Sequence, residues 1–256
     1  MDKQERLSLV WNRIVPLLQD LVRELEITQD ELHVAADYLT RTAKAGVMRS
    51  LLDSTLSMAA VEAVEGRIAG TRPNPEGPYF RPDAPLRPDG SLLEQPPGEH
   101  AEVLTVRGRV LDGCSGRPLP GAELHLWQAD ENGIYDLRGS HLRGRVHADE
   151  QGRYAFTTVV PADYREHDQD PLGELYAAMG RQTYRAGHIH VKVFVDSREV
   201  LTTQLYMADA PNLACDYVLG AVSDDLVVAR TPDADRRSVA TFDFSVVLHP
   251  VPVAPR

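Results

Sequence analysis

His188 and His190 stand two residues apart in Arg185-Ala186-Gly187-His188-Ile189-His190-Val191-Lys192-Val193-Phe194-Val195, an alternating apolar run that reads as a β-strand. Side chains two apart on a strand share a face, so both imidazoles point to one side, roughly 7 Å apart along the chain. Such a pair can chelate one metal ion. Two imidazoles do not complete a metal site, however. No third histidine lies near this strand, and neither Glu-x-x-His nor His-Glu-x-x-His occurs. Tyrosine becomes the candidate donor. Tyr135 and Tyr164 each sit just past an expected strand, where loop ends gather binding sites. A phenolate is a hard anionic oxygen donor, so two of them beside two neutral imidazoles favour ferric iron over softer or divalent ions. The metal would hold both phenols deprotonated at neutral pH. Two other chemistries stay open at this point. A zinc hydrolase built on His188 and His190 needs a water-activating carboxylate, for which Asp163 is the nearby candidate. In a non-enzymatic binding sandwich the His-x-His would be incidental.

The elements that must position these residues follow from periodicity. Leu7, Val10, Trp11, Ile14, Leu17, Leu18, Leu21, Val22 and Leu25 recur at three and four, a helical face interrupted by no proline except Pro16. Thr28-Gln29-Asp30-Glu31 reads as a capping box opening a second helix, and a third is expected over about residues 47–67. From Thr71 to Gly98 eight prolines rule out a long helix or a central strand. The aromatic turn Gly77-Pro78-Tyr79-Phe80 inside that stretch suggests a segment packed against something. Alternating runs at 102–112, 121–129, 143–149, 152–159, 187–196, 200–207 and 237–248 then read as short strands separated by turn signals. The expected class is mainly β: an antiparallel β-sandwich or barrel core with an N-terminal α-helical region. The expected division is a helical region at 1–70, a proline-rich ordered loop at 71–100 and a β-rich domain at 101–256.

Composition narrows the class. A formal charge of −11 disfavours nucleic acid or an anionic membrane surface as partner. Cys114 and Cys215 are the two cysteines, with no Cys-x-x-Cys spacing, so a disulfide framework has little support. The first residues lack the cationic head and apolar stretch of a secretion signal, and no apolar run nears the roughly 18 residues of a membrane span. A cytoplasmic location is expected.

Five segments in order, Gly77-Pro78-Tyr79-Phe80, Gly121 to Ala129, Asp149 to Tyr154, Arg185 to His190 and Leu201 to Tyr206, together resemble the intradiol ring-cleavage dioxygenases, in particular the catechol and chlorocatechol 1,2-dioxygenase group. The resemblance covers roughly residues 77–228. It implies one non-haem Fe(III) per chain, with Tyr135, Tyr164, His188 and His190 as ligands and water or hydroxide completing the set. Arg185 and Gln204 match the two catalytic positions behind the ligands. Tyr164 is implied to leave the metal and accept a proton as a catechol binds, before O2 opens the ring to a cis,cis-muconate, a step in the degradation of aromatic compounds. The helical front resembles the family's dimer-forming region, which also encloses a lipid tunnel, so a homodimer and a bound phospholipid are implied. One departure stands out: a proline is usual between the family's arginine and first histidine, where this chain has Ala186-Gly187, and glycine loosens a backbone.

Rough register places Asp53, Gly77, Tyr79, Phe80 and Val218 at the substrate pocket. Tyr154, Tyr184 and Tyr206 read as packing or rim residues, and His125, His141, His147 and His167 as outside the site. His125, between Leu124 and Leu126, is expected to face the opposite side of its strand. Catechol or a chlorocatechol is the expected substrate, with hydroxyquinol as the alternative. Protocatechuate is disfavoured, because that branch pairs two different chains and lacks the helical front.

Overall fold

The computed structural model describes residues 1–64, 70–233 and 235–248. Four helices lead: α1 (Lys3–Glu24), α2 (Gln29–Lys44), α3 (Met48–Thr55) and α4 (Ser57–Val64). Capping boxes open the first two. Asp2 and Glu5 bond each other's amides at α1, as do Thr28 and Glu31 at α2, satisfying backbone donors that a helix start leaves orphaned. The single third helix expected over 47–67 is instead two, broken at Leu56; its last part lies outside the described residues. The break has a local cause. The Ser54 carbonyl accepts the Leu219 amide at 2.9 Å, while the Ser54 and Thr55 hydroxyls both donate back to the Leu51 carbonyl, a contact that bends helices.

The strands are β1 (Val103–Asp112), β2 (Glu123–Gln128), β3 (Arg143–His147), β4 (Arg153–Val159), β5 (Tyr164–Arg165), β6 (Tyr184–Arg185), β7 (His188–Val195), β8 (Arg198–Met207), β9 (Val227–Val228), β10 (Arg230–Pro232), β11 (Arg237–Thr241) and β12 (Phe244–Val246), with helix α5 (Pro171–Ala178) between β5 and β6. One sheet runs β3-β2-β7-β8-β9; the other runs β10-β11-β1-β12 with β4 also paired to β1. In the first sheet β3, β2, β7 and β8 pair antiparallel and β9 joins in parallel; in the second, β1 pairs antiparallel with β4 and parallel with β11 and β12. The expected strand at 237–248 is divided because the Asp243 carboxylate, rather than a backbone carbonyl, takes the Arg109 amide at 2.8 Å.

Between the sheets lies one apolar core. Leu104, Val106, Phe156 and Phe244 from one sheet meet Leu124, Leu126, Ile189, Val191 and Leu205 from the other, all 1% exposed or less. Alternation along β7 therefore sends Ile189, Val191 and Val193 inward and leaves His188, His190 and Lys192 on the outer face. That outer face is not left to solvent. The proline-rich stretch lies along β8, with the Asn74 amide donating to Thr202, the Thr203 hydroxyl to Arg72 and the Gln204 amide to Pro75. No helix among the described residues is long and apolar enough to cross a membrane.

Candidate active site

Strand register assembles the centre. His190 faces Trp127 on β2 and Gln204 on β8, and His188 faces Tyr206 on β8. The Trp127 indole stacks on the His190 ring, 4.7 Å between centroids and 6° between planes, which fixes the imidazole's plane. Gly77 covers the same ring from outside. With φ of 73°, and with an added Cβ falling 3.2 Å from His190 Cε1, this position suits glycine alone. The Nε2 atoms of His188 and His190 lie 3.0 Å apart, and Tyr135 Oη lies 3.1 Å from His190 Nε2. Tyr164 arrives by a separate route. The two-residue ribbon β5–β6 pairs it with Arg185, and its ring meets that of Tyr135 edge-on at 5.5 Å and that of His188 at 5.8 Å.

Burial sets the charge states. Desolvation, then the charge of Arg185, holds the His188 imidazole well below its ordinary pKa, and desolvation with His188 and Arg185 does the same to His190. Both rings are neutral. His188 Nδ1 lies 2.6 Å from the Ala186 carbonyl, so its proton sits there and its Nε2 carries a lone pair aimed at His190. Desolvation raises the Tyr135 phenol against the hydrogen bond of Tyr164 and the charge of Arg185; desolvation and then Tyr135 raise Tyr164. Both phenols keep their protons until a cation is near.

Arg185 is a buried cation beside this set, 6% exposed. Its Nε donates to both oxygens of Asp216 at 3.0 and 3.1 Å, and its Nη2 donates to Gln204 Oε1 at 2.7 Å and Tyr206 Oη at 3.1 Å. Burial alone would lower its pKa, but Asp216, then Tyr206 and Tyr164, hold it well above the ordinary value. Asp216 also accepts the Ala186 and Val218 amides, both at 2.9 Å. Above these groups opens a cavity of about 340 Å³, whose walls include Asp53, Gly77, Tyr79, Tyr164, Glu166, Arg185, His190, Gln204, Tyr217 and Val218.

Residues 75–250 match the family model described as Dioxygenase. The chain is 32% identical over 234 residues to chlorocatechol 1,2-dioxygenase of Pseudomonas sp. strain P51, covering 89% of this chain and 91% of that one. It is 32% identical over 259 residues to 6-chlorohydroxyquinol 1,2-dioxygenase of Cupriavidus pinatubonensis, covering 96% and 91%. The crystal structure of chlorocatechol 1,2-dioxygenase from Pseudomonas putida superposes with a TM-score of 0.86 at 30% identity, over 96% of this chain and all of that one. This chain belongs to the intradiol ring-cleavage dioxygenases.

Several sequence-based expectations change in the dioxygenase structure. Phe80 is not among the cavity walls; it packs on Trp127 at 5.0 Å under the Lys192 ammonium. His125 does turn away from Leu124 and Leu126, but that places it on the same sheet face as His190, one pleat along, where Glu123 holds its Nε2 at 2.6 Å. Tyr206 is no rim residue: it is fully buried and its hydroxyl donates to Gln204 Oε1 at 2.7 Å. His167 lines the cavity, with Nδ1 on Asp170. Asp163 has both oxygens engaged by the Gly187 and Asn212 amides, which leaves the zinc-hydrolase alternative without its base. Gly187 is held in place as well: its amide donates to Asp163 at 2.7 Å, and the Pro161 carbonyl occupies the space where a Cβ would stand.

Sequence reasoning did not find Asp216, Glu166, Tyr217 or Trp127. Tyr206 carried a usable signal, since it is two residues from Gln204 and so on its face. Asp216 carried none, being an acid in a loop that only the tertiary fold brings under Arg185.

Proposed function

We propose that this dioxygenase holds one ferric ion between Tyr135, Tyr164, His188 and His190 and uses it to open a catechol or substituted catechol with O2 to a cis,cis-muconate. The observation that carries the reading is the convergence of His188 Nε2, His190 Nε2 and Tyr135 Oη within 3.0–3.1 Å, with Tyr164 alongside, beneath the cavity. The donor set fits such an ion. Two neutral imidazoles can each present an Nε2 lone pair to one positive centre, and two phenols can each give up a proton to lower the charge of a trivalent one. Among the described residues no group of three His, Cys, Asp or Glu could hold a metal, so the tyrosines complete the set.

When bound, ferric iron supplies Lewis acidity that ionises the phenols and draws electron density from a chelated catechol, leaving the ring open to O2. The chain's own groups do the rest. Tyr164 Oη, on the cavity wall, accepts one proton from a ring hydroxyl as the substrate enters. Arg185 stays charged against Asp216 and stabilises negative charge developing on ring and oxygen. Gln204, held between Arg185, Tyr206 and the Pro75 carbonyl, keeps that guanidinium aimed at the cavity. Trp127 and Gly77 close the His190 side to water. The names of the relatives, chlorocatechol and 6-chlorohydroxyquinol 1,2-dioxygenase, support substituted catechols as the ring class. The exposed apolar stripe of α1 supports a homodimer through the helical front, where a phospholipid could also seat.

Metal analysis and absorption spectroscopy test this directly. Protein purified with iron should carry it stoichiometrically, show a visible phenolate-to-iron charge-transfer band, and convert catechol to muconate. Colourless protein without iron, or an extradiol product, overturns the reading.

A further inference from the structure

The donor set and the Arg185–Asp216 pair leave two carboxylates of the cavity, and of these Asp53 pairs with Arg49 while Glu166 has no cation among the described residues. Glu166 lies two residues past Tyr164, and its backbone is locked against Thr183, the Glu166 amide donating to the Thr183 carbonyl at 3.0 Å and the Thr183 hydroxyl to the Glu166 carbonyl. Its side chain sits between two phenols. Tyr79 Oη donates to Oε1 at 3.1 Å, and Tyr217 Oη donates to Oε2 at 2.5 Å. All three residues line the cavity beside Tyr164 and His190, and Tyr79 stacks on Tyr135 at 4.2 Å. Among the described residues no Arg, Lys or His makes an ion pair with Glu166. The guanidinium groups at the mouth are engaged elsewhere, Arg49 with Asp53 and Arg165 with Asp168.

The chemistry of this wall is one-sided. A carboxylate has about four lone-pair positions, and the two phenols occupy one on each oxygen. Each phenol commits its only O–H to Glu166 and has lone pairs alone to offer. The wall therefore accepts hydrogen bonds and has none to donate. A ring substituent that is apolar or chlorinated would strip water from the carboxylate without replacing it. One that is itself a carboxylate would be repelled. A hydroxyl would donate into it.

Resting on the iron-dioxygenase reading of the same cavity, we infer that Glu166, oriented by Tyr79 and Tyr217, is a specificity subsite for a third ring hydroxyl, making a trihydroxybenzene the preferred substrate class. Glu166 binds a substituent and takes no part in ring opening.

The test compares benzene-1,2,4-triol with 4-methylcatechol, rings of the same size that differ in one donor. Anaerobic titration of the iron-loaded protein gives a dissociation constant for each without turnover, and aerobic kcat/KM gives the same comparison for the reaction. The preference for the triol in both measurements should fall roughly 10- to 100-fold in Glu166→Leu, the loss expected of one hydrogen bond to a charged acceptor. Glu166→Gln, whose amide oxygen still accepts, should lose a smaller share. If Glu166→Leu does not fold by circular dichroism, Glu166→Gln decides alone, its preference falling or the inference failing. A preference unchanged in a folded variant of either kind overturns it and makes Glu166 an anchor for the two tyrosines. The functional reading fails separately: wild-type protein that takes up no iron and cleaves neither ring sinks that reading and this inference with it, whereas one that cleaves both rings indifferently to Glu166 sinks only the subsite.

Discussion

Two neutral imidazoles whose Nε2 atoms lie 3.0 Å apart in a buried place can both turn a lone pair to one cation, and that geometry governs the residue scale. Removing one ligand should have different consequences according to what it supplies. His188→Ala removes a lone pair that no neighbour replaces, so iron should be lost. Tyr164→Phe removes the proton acceptor at the cavity wall, so iron should be partly retained while turnover falls by about 10²–10⁴-fold. Metal analysis beside steady-state rates separates the two, and full activity in either variant refutes the assignment. Protonation makes a second prediction. Burial keeps both histidines below the usual imidazole pKa of about 6.5, so the unfolded chain binds protons that the folded chain refuses. The sign follows: metal-stripped protein is at full stability above about pH 6.5 and loses up to about 1.4 kcal/mol per pH unit per histidine as pH falls below it. Urea midpoints from pH 7 to pH 5 should slope accordingly, and the slope should flatten in His188→Gln/His190→Gln. The histidine pair was legible because strand alternation is a local rule. Tyr135 and Tyr164 were legible as donors by chemistry and by resemblance, but their meeting is a matter of loop paths that periodicity does not encode.

At the scale of elements, the β5–β6 ribbon does the aligning, since it sets Tyr164 opposite Arg185 before β7 begins. The two residues between Arg185 and His188 are anchored as well. The Ala186 amide is held by Asp216 and the Gly187 amide by Asp163, at 2.9 and 2.7 Å. A proline at either position would lose its donor. Gly187 is constrained sterically as well, because an added Cβ would stand 2.3 Å from the Pro161 carbonyl oxygen. Gly187→Ala should then cost about 1–3 kcal/mol, the usual range for forcing a methyl into packed space. Denaturant melts would read that loss, and a neutral result would mean that the Pro161 loop moves freely. From sequence, Ala186-Gly187 reads as a loosened link. The fold makes it a tight one, because two distant carboxylates take the freed amides. The split third helix belongs to the same lesson: its apolar pattern continues through Leu56, and the Leu219 amide, reaching the Ser54 carbonyl from a distant loop, adds to the Ser54 and Thr55 hydroxyls on the Leu51 carbonyl.

On the scale of the whole molecule, α1 is the outlying feature. None of its residues is buried, and Leu7, Trp11, Ile14, Leu17 and Leu18 are 48–68% exposed along one side. A stripe of that kind on a helix usually meets a partner. In a homodimer built on it, Trp11→Glu with Leu18→Glu should shift sedimentation from dimer to monomer and leave the β-sandwich folded; an unchanged sedimentation coefficient would place the dimer elsewhere or remove it. The leading helices and the long strands, with their apolar faces, were written in the sequence, since helix and strand periods of 3.6 and 2 act on neighbours along the chain; the β5–β6 ribbon and α5 were not. The strand-rich core followed from the same local patterns, whereas the candidate donor types came from their chemistry and the family resemblance. The pairing of Arg185 with Asp216, the indole over His190 and the phenols around Glu166 were decided by tertiary structure alone. Each joins residues from different strands and loops, and only burial between packed elements gives a charge or a hydrogen bond its full strength.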